Sequence, residues 1–361
     1  MKKIFLQLIL ILCISSLAAQ INSNIEQAVD IARQAYNFMN DGNYKKAIEY
    51  LDSAYKLDTV PIFIPYEKAV CLYKLEKYSD AIKILSDIKH HPEAFDRVYQ
   101  VLGNSFDFQG KKDEAVQTYN EGLEKFPYSG RLYMELGIIE IQKENGIGAI
   151  NFWETGVAKE PMFPENYYYL AKYFSKSPEK IWTMIYGEIY FNLGQSNTKM
   201  TDLNKIMYEL YNTALVEMAA SPDSSMLSSL NPSLKKLSGK LPFRILFQKA
   251  FDISSLDVVN KETKKYKIQD LVWLRKQLVN TWFEKEYYKL YDITIMSYLK
   301  KLIDDGQFEA YNYYFFKEGA LANFLFWKNQ SQKKITAFAD WLNKNHFTLD
   351  STQFFTRQSF E

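Results

Sequence analysis

The sequence predicts an all-α protein in two parts, a solenoid of helix-turn-helix repeats followed by an irregular α-helical domain. Two observations predict the first part. Ala35, Ala69, Gly103, Gly137 and Ala171 stand 34 residues apart, and Ala47, Ala81, Ala115 and Ala149 keep the same interval at a second phase. A period of that length, with small residues at two fixed phases, belongs to stacked helical hairpins, whose helices approach closely where side chains are small. The second part rests on a third observation. Past Gly194 the period stops, apolar residues recur at helical spacing, and no segment alternates with a period of two for long enough to make a strand.

Taken in order, the first copy carries Ala35, Phe38, Ala47, Leu51 and Ala54, and the second Ala69, Leu72, Ala81, Leu85 and Ile88. The third reads Tyr99, Leu102-Gly103, Phe106, Ala115, Tyr119, Gly122 and Pro127. The fourth reads Tyr133, Leu136-Gly137, Ala149, Trp153, Gly156 and Pro161, and departs only at Glu140, where an apolar residue is usual. These residues resemble the tetratricopeptide repeat, in which an aromatic, Leu-Gly, an aromatic, Ala, an aromatic, a small residue and Pro follow one another. A fifth copy keeps Tyr167, Leu170-Ala171 and Phe174, but has Thr183 in place of the alanine and Pro178 in its turn. It is read as a degenerate terminal repeat, as solenoid ends usually are. The resemblance spans about 24–195, as four clear repeats and a degenerate fifth.

After the polar break 194–198, Thr201 or Asp202 is expected to cap a helix with Leu203, Ile206, Met207, Leu210, Ala214, Leu215 and Met218 on its apolar face. The stretch 219–242, rich in Ser, Pro and Asn, reads as an irregular linker. Helical spacing returns over 243–251, 268–288, 293–303, 308–316, 321–327 and 335–342, giving an α-helical C-terminal domain over 200–361. The segments Gly306-Gln307-Phe308-Glu309-Ala310-Tyr311-Asn312-Tyr313 and Phe338-Ala339-Asp340-Trp341-Leu342-Asn343 are similar to those of exported bacterial tetratricopeptide repeat proteins in which a helical tail without an assigned activity follows the array.

Residues 1–19 read as a signal peptide: Met1-Lys2-Lys3, the apolar run 4–14, and a small-residue exit through Ala18-Ala19. That run is too short to span a bilayer as an anchor. Leu12 before Cys13, where a lipoprotein has a small residue, speaks for an unlipidated mature chain. Export to the periplasm is the expectation, with an extracellular or outer-membrane-associated location as alternatives. No later run is apolar and long enough for stable membrane insertion. The formal charge of +1 falls to −1 without Lys2 and Lys3, and no basic run offers a footprint for nucleic acid. Cys71 is then the single cysteine, expected to be a small half-buried thiol on a repeat helix.

Chemistry-bearing motifs are scarce. His90, His91 and His346 do not form His-Glu-x-x-His, and there is no nucleophile elbow or phosphate-binding glycine loop. No metal, cofactor or catalytic residue is expected, and the chain is read as not an enzyme. The aromatic run Tyr311, Tyr313, Tyr314, Phe315 and Phe316 reads first as core, and second as a stacking platform for a glycan.

The resemblance places the partner-binding groove on the first helix of each hairpin. On this chain its phases are Tyr36 and Met39; Phe63, Tyr66 and Tyr73; Arg97, Gln100, Asn104 and Asp107; Arg131, Met134 and Ile138; and Tyr168 and Lys172. Gln100 replaces the lysine with which some relatives clamp a terminal carboxylate, so a full clamp is not expected. The expected function is an exported scaffold that binds a peptide or protein segment in this groove. Tyr66 and Tyr73 would receive apolar side chains, while Arg97, Asn104 and Arg131 would hold backbone or an acidic group. The rivals are a glycan- or small-ligand-binding protein using the aromatic C-terminal domain, and an enzyme with an unrecognised site there.

Overall fold

A computed structural model describes residues 24–57, 61–194, 198–220, 241–259, 263–350 and 352–359, and among these the regular elements are all helical. The leader 1–19 and most of the linker 219–242 lie outside the described residues. The repeat helices are α1 (24–40), α2 (Tyr44–Tyr55), α3 (Phe63–Lys74), α4 (Tyr78–Ile88), α5 (Asp96–Phe108), α6 (Lys112–Lys125), α7 (Gly130–Gln142), α8 (Gly146–Lys159), α9 (Pro164–Phe174) and α10 (Lys180–Leu193). Helix α3 packs on α4, α5 on α6 and α9 on α10, as the period requires. The helices fall into two compact units, Met1–Glu144 and Asn145–Glu361. That division lies between α7 and α8, whereas the sequence period runs on to about 195.

The small phases mark where the helices of a hairpin meet. A methyl group on Gly103 of α5 would lie 2.2 Å from the ring of Tyr119 on α6, and one on Gly122 of α6 would lie 2.8 Å from Cβ of Tyr99 on α5. Each helix of this hairpin thus lays its tyrosine into the glycine of the other. In the first hairpin, alanines suffice, and Ala28, Ala35, Ala47, Ala54 and Ile64 close a core with Leu51 and Cys71.

A second period lies in the turns. Gly42, Glu76, Gly110 and Glu144, again 34 apart, all adopt positive φ, between 61° and 77°. After the first three, the next residue closes the preceding helix: Asn43 donates to the Phe38 carbonyl at 2.8 Å, Lys77 to Leu72 at 2.9 Å and Lys111 to Phe106 at 3.0 Å. This is the left-handed helix stop that satisfies the last carbonyls. Pro178 occupies the same phase in the fifth copy, and proline cannot take positive φ. That turn is built differently, with Ser177 Oγ accepting from the Glu179 amide at 3.0 Å. Thr183, in the alanine place, is fully buried and donates its hydroxyl to the Ala171 carbonyl at 3.2 Å.

The second unit continues with α11 (Thr198–Ala220), α12 (Phe243–Ser255), α13 (Ile268–Glu284), α14 (Thr294–Asp304), α15 (Phe308–Phe316), α16 (Leu321–Gln330) and α17 (Gln332–Leu342). Two boundaries differ from expectation. Helix α11 starts at least three residues before Thr201, and Asp202 is not its cap but accepts from Lys172 at 2.8 Å and Tyr168 at 2.9 Å. The helix expected over 268–288 stops at Glu284, because Glu286 turns to φ 56°. Between α14 and α15 the repeat turn returns: Gly306 has φ 73° and Gln307 donates to the Leu302 carbonyl at 2.8 Å.

The core of this unit is aromatic, with an ion pair inside it. Phe243 packs against Trp182, Trp282, Tyr291 and Phe355 at ring-centre distances of 5.4 to 5.7 Å. Arg275 of α13, 2 % exposed, donates to Glu188 of α10 and to Asn312 of α15. Its guanidinium lies 4.3 Å from the centre of the Phe315 ring. Tyr311 is fully enclosed here and donates to the same Glu188 carboxylate. The aromatic run of α15 is therefore mostly core, with Tyr314 half-buried.

Candidate functional site

Helices α3, α5 and α7 lie side by side in the first unit, so their groove residues form one face. On α5, Arg97, Gln100, Asn104 and Asp107 recur at helical spacing and share that face. Across it on α7 sits a residue the sequence reading set aside, Glu135, only 8 % exposed. Its Oε1 accepts from Gln100 Nε2 at 2.6 Å and from Asn104 Nδ2 at 3.2 Å. Asn104 Oδ1 in turn accepts from the Tyr119 hydroxyl at 2.5 Å.

The ladder continues at both ends. Arg131 sits 3.4 Å from Asp96 Oδ2 and donates to Gln100 Oε1 at 3.4 Å. Asp96 also accepts from Ser129 at 2.7 Å. At the far end Gln142 donates to Asp107 at 3.2 Å. The amides and Arg131 are thus held in place by partners on the neighbouring helix. Arg97 is exposed and has no hydrogen bond or ion pair among the described residues.

The aromatic end of the face differs from the expectation. Tyr66 is 7 % exposed, because Phe95 from the segment before α5 packs edge-on to it at 4.8 Å. Burial first, then the charge of Glu67, pushes its phenol up to about 12. Tyr73 is half-buried against Tyr78 and Phe108, both 5.7 Å away, and burial followed by the nearby Glu135 pushes it up to about 12 as well. Both rings are walls of the fold more than open receptors. Phe63 is half-buried against the first-hairpin core, and Tyr36 stands 56 % exposed on α1.

Burial also raises the Glu67 carboxyl above its ordinary range, against the pull of Arg97. The face carries Glu67, Asp96, Asp107 and Glu135 against Arg97 and Arg131, an acidic balance. A terminal-carboxylate clamp does not fit: the central position holds the carboxylate of Glu135, and Arg131 is engaged by Asp96 and Gln100. Nothing in the local sequence around Glu135 gives away its role, which depends on the register of α7 against α5.

Tyr168 and Lys172 belong to the second unit. There Lys172 donates to the Tyr168 hydroxyl at 3.0 Å, and both hold Asp202. Cys71 is fully buried, and burial pushes its thiol up to about 12, which makes it an inert core group. Among the described residues no group of three or more His, Cys, Asp or Glu could hold a metal, and no helix is long and apolar enough to cross a membrane.

Comparison with known proteins agrees with the repeat reading. Residues 96–124, the α5–α6 hairpin, match the tetratricopeptide repeat model, and residues 12–88 match the model of anaphase-promoting complex, cyclosome, subunit 3. No curated protein matches the chain. Similar solved structures include PilF of Pseudomonas aeruginosa, 17 % identical, covering 56 % of this chain and 95 % of that one at a TM-score of 0.42. MamA from residue 41 onward of Desulfovibrio magneticus RS-1 is 16 % identical, covering 46 % and 94 % at a TM-score of 0.36. Residues 96–124 thus carry a tetratricopeptide repeat, in a chain whose regular elements are all helical among the described residues, before and after the repeats. Tetratricopeptide repeats are generally protein-interaction modules.

Proposed function

We propose that this chain is an exported, non-enzymatic scaffold that holds a segment of another protein on the α3–α5–α7 face. The observation that carries the reading is the ladder Asp96, Arg131, Gln100, Glu135, Asn104 across two helices. A surface whose side chains are already fixed by one another loses little entropy when a partner docks. Such amide and carboxylate edges suit an extended backbone or a basic side chain. The acidic balance turns the preference away from the acidic partner that the two arginines alone suggest. Exposed Arg97 and Tyr36 supply the accessible contacts at its margins, and buried Tyr66 supports the floor.

The leader pattern supports an activity outside the cytoplasm, with the periplasm as the leading location. The test is a selection of random peptides on the mature chain, followed by titration of the winners against two variants. Peptides that dock on this face carry Lys or Arg, lose about tenfold or more in affinity with Glu135→Gln, and gain affinity with Arg97→Glu, which adds to the acidic balance. Winners that are acidic, or indifferent to both substitutions, contradict the reading.

A further inference from the structure

The second unit contains a cavity of about 550 Å³ walled by residues of α10, α11, α14, α15 and α17. That is the size of a small-ligand pocket. It opens to solvent where Ala339 and His346, both exposed, stand on its wall. Most of the remaining wall is apolar, with the rings of Phe191, Tyr298, Tyr314 and Phe338 among aliphatic side chains.

The charge of this wall is one-sided. Lys317, which follows α15, and His346, which follows α17, both line the cavity, and among the described residues no Asp or Glu does. The Lys317 ammonium lies 3.6 Å from the carboxylate of its neighbour Glu318, beyond the roughly 2.7–2.9 Å of a charge-assisted hydrogen bond. Its side chain is 30 % exposed, so it is open to a ligand arriving from solvent. The Glu188 carboxylate behind Tyr311 is already taken up by Arg275 and by the Tyr311 hydroxyl.

The open polar groups are donors. Tyr314 precedes Lys317 by three residues, one helical turn, and its hydroxyl has no hydrogen-bond partner among the described residues; nor has His346. An ammonium, a phenol and an imidazole all present N–H or O–H groups. The other polar side chains of the wall are engaged or sealed: Tyr298 donates to the Asn345 carbonyl at 3.1 Å, Asn192 donates to the Tyr311 hydroxyl at 2.7 Å, and both side-chain polar atoms of Asn204 are closed to water.

A group that is negatively charged and only accepts hydrogen bonds satisfies such a wall. A cationic head would meet two basic side chains, and a sugar would lay most of its hydroxyls on apolar surface. No arginine lines the cavity among the described residues to fork onto a phosphate, and one ammonium suits a single negative charge. We propose that this cavity binds an amphipathic monocarboxylate, a fatty or aryl-alkyl acid, whose carboxylate pairs with Lys317 and accepts from the Tyr314 hydroxyl while its body lies along the apolar wall. The proposal is independent of the repeat face, which lies in the other unit.

Two probes with the same chain and different heads test it, octanoate and 1-octanol, titrated into the full mature chain by calorimetry or ligand-observed NMR. Octanoate binds about tenfold or more tightly than octanol, and Lys317→Gln reduces that ratio to about threefold or less. Added salt weakens octanoate and leaves octanol nearly unchanged, a readout on the unaltered protein that holds even if the variant fails to fold. Equal or tighter binding of octanol, no binding of either probe, a ratio indifferent to salt, or an unchanged ratio in a folded Lys317→Gln overturns the proposal. Ala339→Trp, at an exposed position of the wall, adds bulk and leaves Lys317 in place. It weakens both probes, and undiminished binding places them elsewhere and overturns the proposal as well.

Discussion

Gly103 and Tyr119 face each other so closely that the ring stands where the glycine would carry a side chain, 2.2 Å from the position of a Cβ. The ring cannot swing aside freely, because its hydroxyl is held by Asn104 on the same helix as Gly103. Gly103→Ala therefore overpacks the hairpin, and is expected to lower stability by about 1–3 kcal/mol in spite of the better helix propensity of alanine. Denaturant unfolding of the variant checks this, and a rise in stability would contradict the close approach.

The positive-φ turns make an opposite prediction. Glu76 is exposed and holds a left-handed conformation that glycine takes without strain. Glu76→Gly is expected to stabilise by about 0.5–1 kcal/mol, and Gly110→Ala to destabilise by about 1 kcal/mol. Paired thermal melts decide both.

The Arg275–Glu188 pair behaves as a buried ion pair. Burial pulls the guanidinium pKa down, but Glu188 and the surrounding phenols outweigh it and raise it overall. Glu188→Gln leaves a buried cation unpaired, and the expected loss is about 3–5 kcal/mol. The double change Glu188→Leu with Arg275→Met is expected to cost less than the sum of the two single changes, which a double-mutant cycle measures.

Stability is expected to fall with rising pH at one identifiable carboxyl. Burial raises Glu154 above its ordinary 4.5, against the hydrogen bond from Tyr186 and the charge of Arg357. The folded state therefore keeps a proton that the unfolded state releases, so this group's contribution is full below about 4.5 and is lost as pH rises through the raised value. Glu154→Gln removes that dependence. Unfolding free energies of the two proteins should diverge above pH 4.5 in favour of the variant, and parallel curves would contradict the assignment.

Export makes a plain prediction. Expressed in a bacterial host, the mature chain begins near Gln20, and intact mass measures it; retention of residues 1–19 would contradict the leader reading.

The hairpins were legible because close helix approach leaves small residues at a fixed interval, as at Ala47, Ala81, Ala115 and Ala149. The turn period at 42, 76, 110 and 144 was hidden by its alternation of glycine and glutamate. Long-range pairing was not legible at all. Glu188 stands in an otherwise apolar stretch of α10, and its partner Arg275 comes from a distant helix. Glu135 was passed over, because its two amide donors reach it only when α5 and α7 pack in register. Tyr66 read as a contact residue until Phe95 covered it.

The central claim is that the first-helix face of the repeats is where a partner binds. A photo-crosslinking amino acid at Arg97, on that face, is compared in the producing cell with one at Lys83, exposed on the second helix of its hairpin. The account predicts a discrete protein adduct from position 97 and none from 83. Adducts from 83 alone, or equal adducts from both, would contradict it.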